Sequence, residues 1–187
     1  MPFVDPQSLH NPATGNSPPA SWGDEVRAGL VWCAGDSASG NAKPMCRIYN
    51  SAAQNISTAL FTALSFNSER YDVGGMHSTS ALLTRITVPT GGAGVYHLGA
   101  SVRFEASTGG SVRVLRLRLN GATYLTGNET APVGSSGDTQ LTVSCDYKLA
   151  EGDYIEAVVF QNAGVTLQVL VTGAYSPEMW AHWVGVG

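Results

Sequence analysis

The clearest pattern in the chain is an alternation of side chains that begins near residue 95. Between Val95 and Ala106 every second side chain is apolar, and this face carries Tyr96, Leu98, Ala100, Val102, Phe104 and Ala106. A period of two predicts a β-strand that buries one face. Immediately before it, Pro89 and a run of glycines end the preceding extended segment and require a turn. We therefore expect a sheet that packs on a second layer, which is another sheet when helices are absent.

Short extended segments separated by turn residues continue to the end of the chain. Turn clusters such as Asn120–Gly121 and Glu151–Asp153 mark the breaks between them. About ten short strands without a competing helix are typical of a jelly roll or a related sandwich. The sequence therefore predicts an all-β, ten-strand jelly-roll domain over residues 45–187. The predicted strands are Arg47–Asn50, Ala59–Phe66, Leu82–Val88, Val95–Ala106, Val112–Leu119, Thr123–Leu125, Leu141–Tyr147, Tyr154–Gln161, Val165–Val171 and Met179–Val186.

Two of these segments, Tyr154–Gln161 and Met179–Val184, are apolar on both faces. A two-layer sandwich covers only one face of each sheet, so the second face needs another cover. We interpret that cover as another copy of the chain, because burying apolar area against it is favourable. The predicted trimer-interface residues are Tyr154, Val158, Phe160, Trp180 and His182.

Residues 1–44 have a different composition and are predicted to form an anchoring arm with one short helix. Prolines among Asn, Ser and Gly favour an extended strap, and a disordered tail is the alternative. Ser21 is a candidate helix N-cap, and the helix after it carries Trp22, Val26 and Leu30 on one face. Together with Phe3 in the arm, these three side chains are the predicted anchoring residues.

The charge content is low, which changes the expected partners. Charged residues make up 13% of the chain and the net charge is -4, so no basic field is available to bind nucleic acid. A surface with few charges suits a subunit of an assembly, and a monomeric β-protein is the alternative. The sequence contains no apolar window of membrane-spanning length and no export signal. Four arginines on predicted strands are interpreted as outward-facing or as interface ion-pair partners: Arg103, Arg113, Arg116 and Arg118.

Candidate catalytic and metal-binding chemistry is sparse. The three cysteines have no zinc-site spacing, and a bridge between Cys33 and Cys46 is left open. No motif of a hydrolase, phosphate-binding loop or calcium site occurs, so we expect a non-enzymatic protein without a cofactor. Asp72 and His77 flank one loop and are a minor candidate for binding a metal or a glycan.

Several short motifs, taken in order, resemble the trimeric jelly rolls of the tumour-necrosis-factor and complement-globular-head type. The resemblance covers roughly residues 45–187 and implies a ten-strand jelly roll that forms a homotrimer about an axis through its inner sheet. The motifs that carry it are Tyr71-Asp72, Val88-Pro89 with Gly94-Val95-Tyr96, Leu119-Asn120-Gly121, the segment from Leu149 to Ile155, and the segment from Met179 to Val184.

The N-terminal segment is similar to the leader found on structural proteins of tailed bacteriophages. This resemblance implies a virion component that assembles in the host cytoplasm and binds other virion proteins, as a capsid decoration or tail component. The alternative is a tail-tip module whose segment Tyr124 to Asp138, including Asn128, binds a host-surface glycan or protein. A glycan-cleaving appendage is disfavoured, because acidic residues are scarce. The leader motifs are Phe3-Val4-Asp5-Pro6, Asn11 to Gly15, Pro19 to Asp24, and Val26-Arg27.

Overall fold

A computed structural model of the chain describes residues 43–135, 137–172 and 175–187. The predicted anchoring arm, its short helix and the residues Phe3, Trp22, Val26 and Leu30 lie outside this part of the chain. The described residues contain twelve β-strands and no helix, and therefore no helix that could span a membrane. The strands are β1 Met45–Tyr49, β2 Gln54–Ile56, β3 Thr62–Ala63, β4 Ser68–Val73, β5 Arg85–Thr87, β6 Gly94–Phe104, β7 Arg113–Leu119, β8 Thr123–Thr130, β9 Thr139–Leu149, β10 Tyr154–Gln161, β11 Leu167–Val169 and β12 Glu178–Gly185.

The strands form two antiparallel sheets of seven and five strands. In the seven-stranded sheet, β9 pairs with the full length of β6, while β12 and then β11 pair with its other edge. Strand β1 follows β12, β4 follows β1, and β2 pairs with β11. In the five-stranded sheet, β10 is central and pairs with β7, β5 and β3, and β8 follows β7. The predicted all-β sandwich is confirmed.

The core lies between the sheets and contains the predicted face of β6. Tyr96, Leu98 and Phe104 have no exposed surface. Opposite them, Ile155, Ala157 and Val159 of β10 are at most 1% exposed. Strand β6 ends at Phe104, so Ala106 lies beyond the strand and is exposed.

The strand count differs from the prediction because two polar segments also form strands. Strand β4 has the sequence SERYDV and lacks an alternation of apolar and polar residues. It lies at the edge of its sheet, where partial burial does not require alternating apolar side chains. Strand β2 has only three residues. Hydrophobic periodicity cannot detect either kind of strand.

Two further expectations are corrected inside the core. Arg113 does not face outward: it lies opposite Gln161 on the core side of the five-stranded sheet and has no exposed surface. Cys46 is a free thiol with no exposed surface, so it forms no bridge with Cys33. Burial, followed by the nearby carboxylates of Asp72 and Glu69, raises the pKa of the Cys46 thiol far above its ordinary value.

Replacing Tyr96 with Phe is expected to lower the free energy of unfolding by about 1 kcal/mol. The buried Tyr96 hydroxyl donates to the carbonyl oxygen of Gly92 at 2.6 Å, which ties β6 to the turn before it. Burial also raises the pKa of this hydroxyl to about 12. Urea denaturation of both proteins measures the change. Tyr147→Phe is the control, because Tyr147 is 40% exposed, and an equal loss in both variants would contradict the assigned hydrogen bond.

Candidate functional site

The outer face of the seven-stranded sheet, on the side away from the core, carries the most distinctive cluster of side chains. At its centre, Trp180 of β12 lies opposite Gly99 of β6 and Arg47 of β1. A Cβ atom at Gly99 would overlap the indole ring, so the ring lies directly against the backbone of β6. Only glycine permits this close approach. We call this surface, formed by β1, β4, β6, β9 and β12, the Trp180 face.

One carboxylate on the Trp180 face is shared by two arginines. Glu178 is only 7% exposed, and its Oε2 accepts from Nε of Arg47 at 2.7 Å. Its Oε1 accepts from Nη2 of Arg70 at 2.9 Å. Strand β4 has a β-bulge between the residues that pair with Arg47 and Ile48 of β1, and Arg70 is its extra residue. Because of this bulge, Arg70 and Tyr71 both reach the Trp180 face. The buried carboxylate is therefore fully compensated.

Two histidines lie opposite each other beside Trp180. His182 of β12 pairs with His97 of β6, and the Nε2 atom of His182 lies 2.6 Å from the hydroxyl of Tyr71. Nδ1 of His97 lies 2.8 Å from the carboxylate of Asp146, on β9. A cavity of about 160 Å³ opens beside them and is lined by Arg47, Trp180 and His182.

The environment of His182 predicts a dependence of stability on pH. Burial, with smaller contributions from His97 and Arg47, lowers the pKa of His182 below its ordinary value of 6.5. The unfolded chain therefore binds a proton at a higher pH than the folded chain, and stability falls as the pH drops through 6.5 toward the folded pKa. Between about pH 7.5 and about pH 5.5, we expect the free energy of unfolding of His182→Gln to fall less than that of the parent protein.

Urea denaturation of the parent and His182→Gln proteins across this range measures the difference in slope. The other charged groups near His182 are Arg47, His97 and Asp146, and all three remain in the variant. Parallel pH profiles for the two proteins would show that His182 is not the titrating group.

The five predicted trimer-interface residues do not form one surface. Trp180 and His182 belong to the Trp180 face, whereas Tyr154, Val158 and Phe160 point outward from β10 in the other sheet. Val158 is fully buried within the single chain, between its neighbours Ala63 and Arg116. The burial of Val158 therefore needs no second copy, and a subunit contact through Tyr154 and Phe160 stays a prediction. Whether the Trp180 face forms the contact remains a prediction.

The outer face of the five-stranded sheet has its own aromatic cluster. The rings of Phe61 and Phe160 are 4.7 Å apart, and the ring of Tyr124 is 5.9 Å from Phe61. The guanidinium of Arg116 stacks on Phe61 and Tyr124 at 5.0 and 4.9 Å. Phe61 and Tyr124 are 39% and 41% exposed, so the cluster is covered by the chain on one side only.

The predicted receptor loop is largely a strand. Tyr124 and Asn128 lie in β8, at the edge of the five-stranded sheet, and only the region around Asp138 is irregular. The amide of Asn128 donates to the carbonyl of Thr142, and Asp138 forms an ion pair with Arg103 at 3.7 Å. These residues therefore do not form a single exposed loop.

Four residues of the Trp180 face were missed in the sequence: Arg47, Arg70, Tyr71 and Glu178. Glu178, Trp180 and His182 are spaced two residues apart, which places them on one side of a strand, but the predicted strand began one residue too late at Met179. Arg70 and Tyr71 were missed because β4 was not predicted. The spacing in β12 could therefore have identified Glu178, whereas the hydrophobic pattern does not indicate that β4 contributes to this face.

No family model and no curated protein matches the sequence. Solved structures do match. The globular domain of zebrafish complement 1qA protein is 15% identical, with a TM-score of 0.55, over 78% of this chain and 100% of that one. The chain has a TNF-like jelly-roll fold. Murine APRIL at pH 5.0, a TNF-family structure, is also 15% identical, with a TM-score of 0.54, over 75% of this chain and 98% of the APRIL chain.

Proposed function

We propose that this chain is a non-enzymatic structural subunit that assembles as a homotrimer through the Trp180 face. The observation that carries the proposal is that this face combines a central aromatic ring with charges that are already paired. Glu178 is compensated by two arginines, and the carboxylate of Asp146 accepts a hydrogen bond from Nδ1–H of His97. Such a face can lose water without leaving an isolated buried charge, and Trp, Tyr and Arg are the residues enriched at interface centres.

The TNF-like fold supports the same assembly. The resemblance to trimeric jelly rolls, noted in the sequence, implies contacts through the inner sheet. In this chain the sheet that contains β6 and β12 carries the half-buried side chains of Trp180, His97 and His182 near the middle of its outer face. The proposed interface therefore lies on the seven-stranded sheet and excludes Tyr154, Val158 and Phe160.

The assembly state tests this proposal through two matched substitutions. Trp180→Glu replaces the central ring of the proposed interface with a charged side chain, so we expect monomers in sedimentation velocity. Phe160→Asp places a charge on the outer face of the other sheet, so we expect trimers to persist. The opposite result would place the interface on the five-stranded sheet, and a parent protein that remains monomeric would contradict the trimer itself.

We further propose that residues 1–44 attach the trimer to a virion, as a capsid decoration or a tail component. The support is the similarity of this segment to phage leaders and its apolar side chains Phe3, Trp22, Val26 and Leu30. Gold-labelled antibody on intact particles is the test. Label on the head would indicate capsid decoration, label at one tail end would indicate a tail component, and particles without label would contradict the proposal. A protein lacking residues 1–44 is expected to form trimers that do not load onto particles.

A second candidate function, binding to a host-surface glycan or protein, is favoured by the aromatic cluster on the five-stranded sheet. In a trimer built through the Trp180 face, Phe61 and Tyr124 belong to the opposite sheet and stay available to a ligand. Exposed aromatic rings beside an arginine are common in binding surfaces. Loss of cell binding in Tyr124→Ala with the trimer intact would support this function, and unchanged binding would exclude the cluster from it.

A further inference from the structure

Arg116 of β7 lies in the aromatic cluster of the five-stranded sheet with its hydrogen-bond donors unused. Its Nη2 is 3.7 Å from Oε2 of Glu129, which is too long for a hydrogen bond, and within the described residues its guanidinium donates to no other group. Arg118, on the same strand, instead donates twice to Glu156, at 2.8 and 3.0 Å. The side chain of Arg116 is 31% exposed, and none of its nitrogens is buried without a partner. Its donors are therefore open to a ligand.

The guanidinium of Arg116 is held in place before any ligand arrives. It lies over the rings of Phe61 and Tyr124, at 5.0 and 4.9 Å from their centres. A Cβ atom at Gly127 would lie 2.9 Å from Cγ of Arg116, so the stem of the side chain rests directly on the backbone of β8. A side chain that is already ordered loses less rotamer freedom when it binds.

The two rings offer apolar surface next to this guanidinium. Phe61 and Tyr124 are 39% and 41% exposed. Phe61 directly precedes β3, and the loop before it is fixed at Ala59, which has a positive φ of 58° and donates its N–H to the carbonyl of Gln161 at 2.7 Å. Exposed rings beside a few placed polar groups suit a ligand that has both C–H and polar surfaces.

The charges of the cluster favour a ligand with one carboxylate and several hydroxyl groups. Arg116 is the one arginine of this cluster, and its planar fork matches a planar carboxylate. The neighbouring carboxylate of Glu129 is 60% exposed and can only accept, so it suits hydroxyl donors. An acidic peptide would bring further carboxylates next to Glu129, which is unfavourable. A sugar acid supplies the single negative charge and the hydroxyls together.

Asp72 and His77, the minor candidate for a metal or glycan site, do not form a competing site. The carboxylate oxygens of Asp72 accept from the backbone N–H groups of Met76 and His77 at 2.9 and 3.0 Å. The side chain of His77 has no exposed surface. Within the described residues no cluster of three His, Cys, Asp or Glu side chains could hold a metal, so the metal alternative has no support.

We propose that the cluster of Phe61, Arg116 and Tyr124 binds a sugar that carries one carboxylate, a uronic acid being the simplest example. The carboxylate accepts from the guanidinium of Arg116, the C–H groups of the sugar contact the exposed ring surface of Tyr124, and hydroxyls donate to Glu129. Such a sugar is the host-surface glycan of the second candidate function, on which this proposal rests.

Saturation-transfer NMR with the full-length protein compares glucuronic acid with glucose and galacturonic acid with galactose. The members of each pair differ only in the carboxylate that replaces a CH2OH group. We expect at least one acid to bind about tenfold or more tightly than its neutral partner. Arg116→Met keeps the aliphatic stem without the donors, so it is expected to lose this preference. Arg85→Met is the control, because Arg85 also stacks on a ring, that of Tyr154, but lies outside the cluster.

A readout without any substitution covers the case in which Arg116→Met fails to fold. In the ¹⁵N-labelled parent protein, the acid is expected to shift the Nε resonance of Arg116 and to leave that of the buried Arg113 unchanged. Absence of binding by both acids, or equal binding of acid and neutral sugar in each pair, would overturn the proposal. A triglutamate peptide that binds more tightly than either acid would also overturn it, since the occupant would then be an acidic peptide.

The cell-binding assay of Tyr124→Ala separates this proposal from the function on which it rests. Lost cell binding together with no binding of either acid would keep the receptor function and reject the carboxylated sugar as its ligand. Unchanged cell binding in a variant that no longer binds the acid would keep the sugar site and exclude it from host recognition.

Discussion

Replacing Gly99 with Ala is expected to displace Trp180 and abolish the proposed trimer. The added methyl group occupies space that the indole ring fills, so the ring must leave the sheet or the strands must separate. Overpacking of this kind costs about 1–3 kcal/mol of stability in the monomer. The effect on assembly is larger, because the displaced ring stands where the partner's surface would pack. Sedimentation velocity and urea denaturation measure the two effects separately.

Gly185→Ala is the matched control for this prediction. Gly185 ends β12, on the same strand as Trp180, and a Cβ atom there meets nothing within 4 Å. The Gly185→Ala protein is expected to stay trimeric and as stable as the parent. In a double variant, Trp180→Ala removes the clash, so adding Gly99→Ala to it should cost little further stability. A Gly99→Ala protein that remains a stable trimer would contradict the role given to Trp180.

Replacing Arg113 with Ala is expected to lower the free energy of unfolding by about 3–5 kcal/mol. Arg113 has no exposed surface and fills the end of the core next to Gln161. Its guanidinium donates to the carbonyl oxygens of Val112 and Gly109, both at 2.9 Å. Alanine would leave a cavity and two acceptors without their donor.

Arg113→Met separates the two causes, because methionine restores much of the volume but none of the hydrogen bonds. We expect a loss of about 2 kcal/mol for this variant, between those of the parent and Arg113→Ala. A methionine variant as stable as the parent would show that the hydrogen bonds only offset the burial of the charge. Arg116→Ala is the control: it removes a partly exposed ion pair with Glu129 of 3.7 Å and the contacts with the rings of Phe61 and Tyr124, so we expect a loss of about 1–2 kcal/mol, smaller than for Arg113→Ala.

The sequence predicted the strands that have one buried and one exposed face. In β6 the alternation identified the core side chains from Tyr96 to Phe104, because each of them has to leave water. The same rule failed for Arg113, whose position in the alternation is a core position. Because arginine is charged, the sequence analysis placed Arg113 on the surface. Only the three-dimensional structure shows the two carbonyl oxygens that accept hydrogen bonds from its guanidinium.

Only part of the candidate site could be predicted from the sequence. Trp180 and His182 were identified from the two-faced pattern of β12, but the same pattern in β10 has another cause. There the outer face is covered by side chains of the neighbouring β3 and β7 and by Phe61. A pattern of apolar residues reports that a face is covered, and it does not report whether the cover belongs to the same chain.

By itself, the sequence determined the class of fold, the central strands and the core face of β6. These features depend on the local alternation of side chains and on turn residues. Asn120 and Gly121 are such turn residues, and both adopt positive φ. The tertiary structure decided which outward-facing side chains meet. Trp180 needs Gly99 from a strand about eighty residues earlier in the chain, and Tyr71 meets His182 only because β1 pairs with both β4 and β12. Such contacts depend on register between distant strands, which a one-dimensional pattern does not encode.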